Sequence, residues 1–500
     1  MRRIRRASGG SVNERIRGST AQFVAMTLGC APVTDSLFVN ASANTDTATL
    51  SSPMSTHSFQ APKGTRDFYP ADLAVRRHIE SAWRSASVDC GFDEVEGPTF
   101  EHLELYTAKS GEGIINELFS FRRAGGESDY ALRPEFTPTL ARMVAARAGS
   151  LTMPVKWFAI PNMFRAERPQ RGRLREFMQW NIDVLGTEGA ATDIETISCA
   201  ILALERLGLT PRDVEVRLSH RIAIGRMLGA LGVSAEKSAD AMTLLDRRDK
   251  LKADEFASRA QALGLGSEGV ARFDAAARAK QKLSEPLATL AHTIGIPVED
   301  LAALDEVRTA ADRAGILEWC SIDLGIVRGL AYYTGTVFEV HELSGAERAV
   351  AGGGRYDGLV ELFGGPKMPA CGFGMGDVVL ANILRDRKLL PEDGALLLAR
   401  PDAFIISAGG EDAERMLPGM VMSLRRMGLH VRSSAKATRN VGKLLGEAGK
   451  ARARVAVILG AELAQDSVVL KDLDAGTQEV IALSDVAARL LAAMQTRATR

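Results

Sequence analysis

The sequence predicts an α+β fold with a helical insertion, followed by a small C-terminal α/β domain. Three observations carry this reading. Between Pro62 and about Leu218, a helical apolar period at Leu73 to Cys90 alternates with short β-rich runs at Pro154 to Ile160 and Phe177 to Leu185. Residues 222–316 are rich in Ala, Leu and charge at helical spacing with almost no strand signal, and β-rich sequence resumes at Tyr332. After Pro401, Phe404 to Ser407, Leu429 to Val431 and Val455 to Leu459 read as strands around a helix at Glu411 to Met427, giving a β, α, β, α, β alternation. Five hundred residues exceed one ordinary core, so several domains are expected. The divisions are an N-terminal extension at 1–60, the first domain at 61–221 and 317–398, the insertion at 222–316, and the C-terminal domain at 399–500.

Composition narrows the class. A chain 46% hydrophobic and 25% charged is ordinarily globular. Sixty-two basic residues balance sixty-two acidic ones, so attraction of a polyanion has to come from local clusters. One such cluster runs from Arg425 to Arg454, where nine basic residues meet one acid, Glu447. Five cysteines, at 30, 90, 199, 320 and 371, are isolated in sequence and never spaced as CxxC; this disfavours a disulfide framework or structural zinc and fits a reducing compartment. No apolar run is long enough to cross a bilayer, and the first residues lack a signal peptide's apolar core.

Residues 1–60 are rich in Ser, Thr, Ala and Asn, with six arginines up to Arg17 opposed only by Glu14, Asp35 and Asp46. Two readings compete: an organellar transit peptide, or upstream sequence before a true start at Met54. The second is preferred and implies a cytoplasmic protein; the first makes it organellar.

The densest chemical signal is Phe164 to Phe177, with five arginines in eleven positions from Arg165 to Arg175. Read as strand, loop, strand, it projects guanidiniums inward, where their forked donors suit phosphate oxygens. In the following strand, the period of two puts Glu176, Met178, Trp180, Ile182 and Val184 on a mostly core face and Arg175, Phe177, Gln179, Asn181 and Asp183 on a mostly site face. Leu132 to Thr137, containing Glu135, and Val327 to Glu339, containing Arg328, Tyr332 and Tyr333, set charged or phenolic groups beside further strands. Gly352 to Gly354 and the alternating Gly372, Gly374 and Gly376 allow close approach of another group. Asp377 then reads as the N-cap of a helix through Leu384.

Together these segments resemble the class II aminoacyl-tRNA synthetases, and specifically the histidine–tRNA ligase family, from Ala61 to about Met494. Pro62 to Asp67 is similar to the family's opening signature, Pro98 to the proline of motif 1, Phe164 to Phe177 to motif 2, and Arg328 to Tyr333 to the histidine-specific signature. The resemblance implies an antiparallel-sheet catalytic domain, a C-terminal anticodon-binding domain and a homodimer. It implies activation of L-histidine by ATP, with magnesium, and transfer to tRNA(His). Glu135, Thr137, Gln179, Asp183, Tyr332 and Tyr333 would line the histidine pocket. Arg165 would hold the α-phosphate and the substrate carboxylate, Glu167 the adenine amino group, Phe177 the adenine face and Arg173 the terminal phosphate. Arg328 would be the most rate-sensitive residue.

Three positions depart from the family pattern. Asp183 stands where glutamate is common, Ala331 where aspartate is usual, and Val379 where motif 3 supplies an arginine to the γ-phosphate. Arg173, Arg175 or magnesium would then carry the terminal phosphates. Rival readings are a non-catalytic regulatory paralogue of ATP phosphoribosyltransferase, opposed by residues 401–495 and the intact motif 2, and a synthetase for threonine or proline, opposed by the Arg328 to Tyr333 signature.

Overall fold

A computed structural model describes residues 59–498, apart from 111, 249–250 and 329–332. The N-terminal extension as far as residue 58, Cys30, Ala331 and Tyr332 therefore lie outside the described residues.

The first helix, Pro70–Asp89, starts where proline's fixed φ suits a first turn and needs no amide donor. Its apolar stripe of Ile79, Trp83 and Ala86 is buried against the strand Glu176–Leu185 and the helix Ala190–Arg206. Trp83 stacks on Trp180 at 5.8 Å, and the Trp180 indole N–H donates to Ser87 Oγ at 2.9 Å, so this strand is fixed against the helix by area and by a satisfied polar group.

A ten-stranded sheet forms the main body. Across it, strands follow the order 93–94, 155–159, 176–185, 370–376, 351–355, 336–342, 214–220, 320–323 and 280–282, and the strand Asn162–Phe164 also pairs with 176–185. Pairing is antiparallel except where 93–94 meets 155–159 and where 214–220 meets 320–323. The period-two reading of 176–185 holds on its core face: Met178, Trp180, Ile182 and Val184 all join the main core. Short strands Phe100–His102, Ser120–Arg122 and Asp129–Leu132 make a separate small sheet.

Residues 221–313 are mostly helical, from Arg221–Ala230 to Ala302–Arg313, as the Ala- and Leu-rich spacing predicts. One short strand, Lys280–Lys282, escapes that reading; it adds to the sheet edge beside Cys320–Asp323. The C-terminal strands Ala403–Ser407, Val431–Ser433 and Val455–Leu459, with helices Glu411–Arg426 and Val441–Lys450, follow the expected alternation. Two further strands, Ser467–Asp472 and Gln478–Ala482, extend that sheet antiparallel.

Asp377 corrects an expectation. It is the first residue of the helix Asp377–Asp386 rather than its N-cap, which is Gly376. Its buried carboxylate is taken by long-range partners: Oδ1 accepts the Met178 N–H at 3.0 Å, and Oδ2 accepts Arg66 Nη2 at 2.8 Å. The opening segment is thereby tied to the strand and helix that flank the cavity described next.

Candidate active site

A cavity of about 300 Å³ opens on the sheet face opposite Trp180, between the 164–176 hairpin and the central glycine-rich strands. Its size suits a small ligand. Glu135, Thr137, Arg165, Arg173, Phe177, Gln179, Arg328 and Tyr333 all reach its wall, so most of the sequence-predicted residues converge from three separate chain segments.

The glycines explain how. On strand Ala370–Gly376, a Cβ at Gly372 would collide with the Asp183 carboxylate, and one at Gly374 with the Gln179 amide. On strand Ala351–Arg355, a Cβ at Gly352 would collide with the Arg328 guanidinium. Three glycines on adjacent strands thus leave the volume into which three polar side chains from neighbouring segments fold. This close approach is what the glycine alternation signals in sequence.

Gln179 is oriented by its neighbour. Its Nε2 donates to Asn181 Oδ1 at 2.8 Å, and Asn181 Nδ2 returns a bond to the Gln179 carbonyl at 3.1 Å. The amide oxygen of Gln179 is then the end left to accept from a ligand's N–H.

Asp183 lies deeper than the strand period alone indicates: it is buried behind the wall under Gly372 and does not itself line the cavity. Its Oδ1 accepts the Tyr356 hydroxyl, while its Oδ2 has no hydrogen-bond partner among the described residues. Burial drives its carboxyl up to about 7, against the opposing effect of the Tyr356 hydrogen bond.

At the other end, Arg165 lays its guanidinium over the Phe177 ring at 5.1 Å and donates from Nε to the Pro134 carbonyl at 3.0 Å. Arg173 forms an ion pair with Glu167, which stands outside the lining. The hairpin closes at Gln170 to Arg173 through paired backbone bonds of 3.0 and 2.9 Å, with Gly172 at φ +71°.

Of the hairpin's five arginines, only Arg165 and Arg173 line the cavity. The expectation of uniformly inward guanidiniums fails because two of the others have structural partners. Arg171 points out to Glu347 at 2.6 Å and Asp386 at 3.3 Å. Arg175 donates to the Glu167 carbonyl at 3.2 Å and the Lys63 carbonyl at 3.3 Å, fastening the Lys63 to Thr65 turn, and is not available to a phosphate.

Arg328 adopts φ +53°, unusual for a side chain with a Cβ, and Nη1 lies 3.4 Å from Glu339 Oε1. Glu339 also pairs with His341 Nε2 at 2.8 Å; burial raises its carboxyl, but His341 and Arg328 outweigh this and hold it below the usual range. Val379 faces the cavity from the first turn of its helix. Asn181 lies where the strand period puts it, on the site face. The sequence points to no role for Arg348 or Tyr356, whose only signal is nearness to the glycine run.

The C-terminal basic cluster divides likewise. Arg425 donates twice to the Val431 carbonyl, Arg439 pairs with Glu414, and Arg452 holds the Ala395 carbonyl. Lys436, Lys443 and Lys450 line one shallow concavity beside Thr438 together with Glu447, whose Oε2 lies 3.4 Å from Lys436 Nζ.

Comparison with known proteins shows the family. The family described as histidyl-tRNA synthetase matches residues 64–376. A histidine–tRNA ligase of Halobacterium salinarum is 37% identical over 83% of this chain and 94% of its own length. The chloroplastic/mitochondrial histidine–tRNA ligase of Arabidopsis thaliana is 36% identical over 85% of each chain. Among solved structures, histidyl-tRNA synthetase from Nostoc sp. PCC 7120 superimposes with a TM-score of 0.72 at 25% identity, over 87% of this chain and 99% of that one.

Proposed function

We propose residue roles on one premise: the chain belongs to the histidyl-tRNA synthetase family. It is an ATP-dependent histidine–tRNA ligase, with a class II catalytic sheet and a C-terminal sheet domain. Histidine's carboxylate attacks the α-phosphorus of ATP, pyrophosphate leaves, and the terminal ribose hydroxyl of tRNA(His) then takes the histidyl group. The regulatory reading is not favoured, since the full-length relatives are ligases and residues 403–498 form the additional domain.

The observation that supports the assignment of roles is that one cavity wall brings Phe177, Arg165 and Arg173 together with Glu135, Thr137 and Gln179. Toward the hairpin, Phe177 stacks adenine and Arg165 and Arg173 neutralise phosphates; Glu167, outside the lining and paired with Arg173, reaches the adenine amino group only by leaving that pair. Toward the glycine strands, Glu135, Thr137 and the Gln179 amide oxygen receive the histidine ammonium and imidazole, with Tyr333 on the same wall; Tyr332, outside the described residues, is given to the same pocket by the family resemblance alone. Asp183, one methylene shorter than glutamate, sits behind this end, and its contact with the imidazole requires a bridging water or a small shift. Arg328 and Arg165 act as catalytic residues by countering charge at the α-phosphate and the attacking carboxylate.

Magnesium is assigned as the ion that accompanies ATP; among the described residues no group of three or more His, Cys, Asp or Glu side chains could hold a metal. Homodimer formation is supported by an exposed aromatic cluster on the small sheet after Pro98. Phe100 lies 5.6 Å from both Phe121 and Tyr130, and the two phenylalanines stay 48% and 43% exposed, a patch of the kind a second copy covers. The Lys436, Lys443 and Lys450 concavity is assigned to the tRNA anticodon stem. Among the described residues no single helix is long and apolar enough to cross a membrane. A reducing compartment, the cytoplasm, is proposed from the free cysteines.

The test is a split of Michaelis constants. Phe177→Ala raises KM for ATP with little change for histidine, and Gln179→Ala does the reverse. Equal movement of both constants in both variants would overturn the two-ended reading.

A further inference from the structure

We propose that Arg348 is the residue that binds the terminal phosphates of ATP in this chain. The proposal rests on the reading of the hairpin end of the cavity as the ATP site. An arginine is needed there because Val379, on the first turn of the helix Asp377–Asp386, brings an apolar side chain to the cavity wall, and Arg175 is fastened to the Lys63 and Glu167 carbonyls. Arg348 lines the same wall as Val379, Gly172 and Arg173, entering from the segment that leads into strand Ala351–Arg355.

Two features suit it to an anion. Among the described residues no hydrogen bond or ion pair occupies its guanidinium, whereas Arg171 and Arg175 of the hairpin are both engaged. The charges nearest it are Arg173 and Arg165, which repel it, and Glu167 and Glu339, which attract it; partial burial and the two arginines pull its pKa below the usual guanidinium value. Arginines gathered around one cavity repel one another until a polyanion enters, so the arrangement stores its favourable interaction for the phosphates.

The segment is also held in place. Glu347, whose side chain is only 2% exposed, accepts from Arg171 at 2.6 Å and from Asn382 Nδ2 at 3.2 Å. It therefore joins the hairpin tip to the helix carrying Val379, immediately before Arg348 in the chain. A Cβ on Gly172 would lie 3.1 Å from Val379 Cγ2, so the tip is seated directly on that helix turn and Arg348 approaches from its side. Arg173 and Arg348 then bracket the position where the β- and γ-phosphates emerge past Phe177.

The experiment measures binding of ATP, pyrophosphate and a non-hydrolysable histidyl-adenylate analogue to the full-length chain and its variants. Arg348→Ala is expected to weaken ATP and pyrophosphate by roughly 10- to 100-fold, the loss of a hydrogen-bonded charge contact, while leaving the adenylate analogue unchanged because it has no β- or γ-phosphate. Arg348→Lys should restore part of the loss as a point charge without the fork. Unchanged ATP affinity in Arg348→Ala, or an equal loss for the adenylate analogue, would overturn the assignment. Failure of the unsubstituted protein to bind ATP at all would instead strike the reading of the cavity.

Discussion

The guanidinium of Arg328 lies directly over the α-carbon of Gly352, in space that any Cβ at 352 would occupy. Gly352→Ala therefore has to displace Arg328 from its pairing with Glu339. Adenylate formation is expected to fall on the order of 100-fold, the scale seen when one preorganised charge contact is removed. Thermal melting of the same variant should shift little, since a methyl group enters a cavity edge. Normal pyrophosphate exchange in Gly352→Ala would show that Arg328 is not needed where it stands.

Asp183 predicts a pH dependence. Burial pushes its carboxyl in the folded chain up to about 7, well above the ordinary carboxylate range, so the folded chain prefers the neutral carboxyl. Stability from this group is fully present below the unfolded pKa and is lost as pH rises toward 7. Asp183→Asn cannot ionise, and its stability relative to the parent should increase between pH 5 and pH 8. Denaturant midpoints at the two values check this; a constant or shrinking difference contradicts the buried carboxyl. The same variant should raise KM for histidine more than KM for ATP.

Asp377 predicts a structural loss. Asp377→Ala leaves the Met178 N–H and the Arg66 guanidinium without their acceptor, at a cost of about 1–3 kcal/mol for an orphaned buried donor. Asp377→Asn keeps an acceptor for Met178 and should lose less. Equilibrium unfolding of the pair measures the ordering, and equal stability of Asp377→Ala and the parent would contradict the tie.

Cys90 and Cys199 are distant in sequence yet meet between the helices Pro70–Asp89 and Ala190–Arg206, where a hydrogen bond from Cys199 and then the nearby Lys156 charge lower the Cys90 thiol to about 7. Its thiolate forms as pH rises through 7, earlier than that of an ordinary cysteine. Alkylation by iodoacetamide at pH 7.5 should label Cys90 ahead of buried Cys320 and Cys371, with a rate that climbs between pH 6 and 8. Peptide mass spectrometry reads the order; faster labelling of Cys320 would contradict it.

Much of the fold was legible because it depends on local periodicity. Met178, Trp180, Ile182 and Val184 alternate with Phe177, Gln179 and Asn181, and one set is core while the other reaches the cavity. The helical stretch after Arg221 and the C-terminal alternation were readable for the same reason. What escaped depends on contacts far apart in sequence. Lys280–Lys282 is three polar residues made into a strand by its partner. Asp377 resembles a helix cap locally but is claimed by Arg66, more than three hundred positions away. Which of the hairpin arginines turn inward is decided by Glu347, Asp386 and the Lys63 carbonyl, and Arg348 enters from a segment whose own sequence carries no phosphate motif.

The central claim is that a single cavity joins ATP to histidine. Amino-acid-dependent exchange of labelled pyrophosphate into ATP, run on the full-length protein and on Arg328→Ala with histidine, threonine and proline in turn, tests it most directly. The expected result is exchange with histidine alone, reduced in Arg328→Ala by on the order of 100-fold or more while the fold melts as before. Exchange absent with histidine in folded protein, or equally strong with threonine or proline, would contradict it.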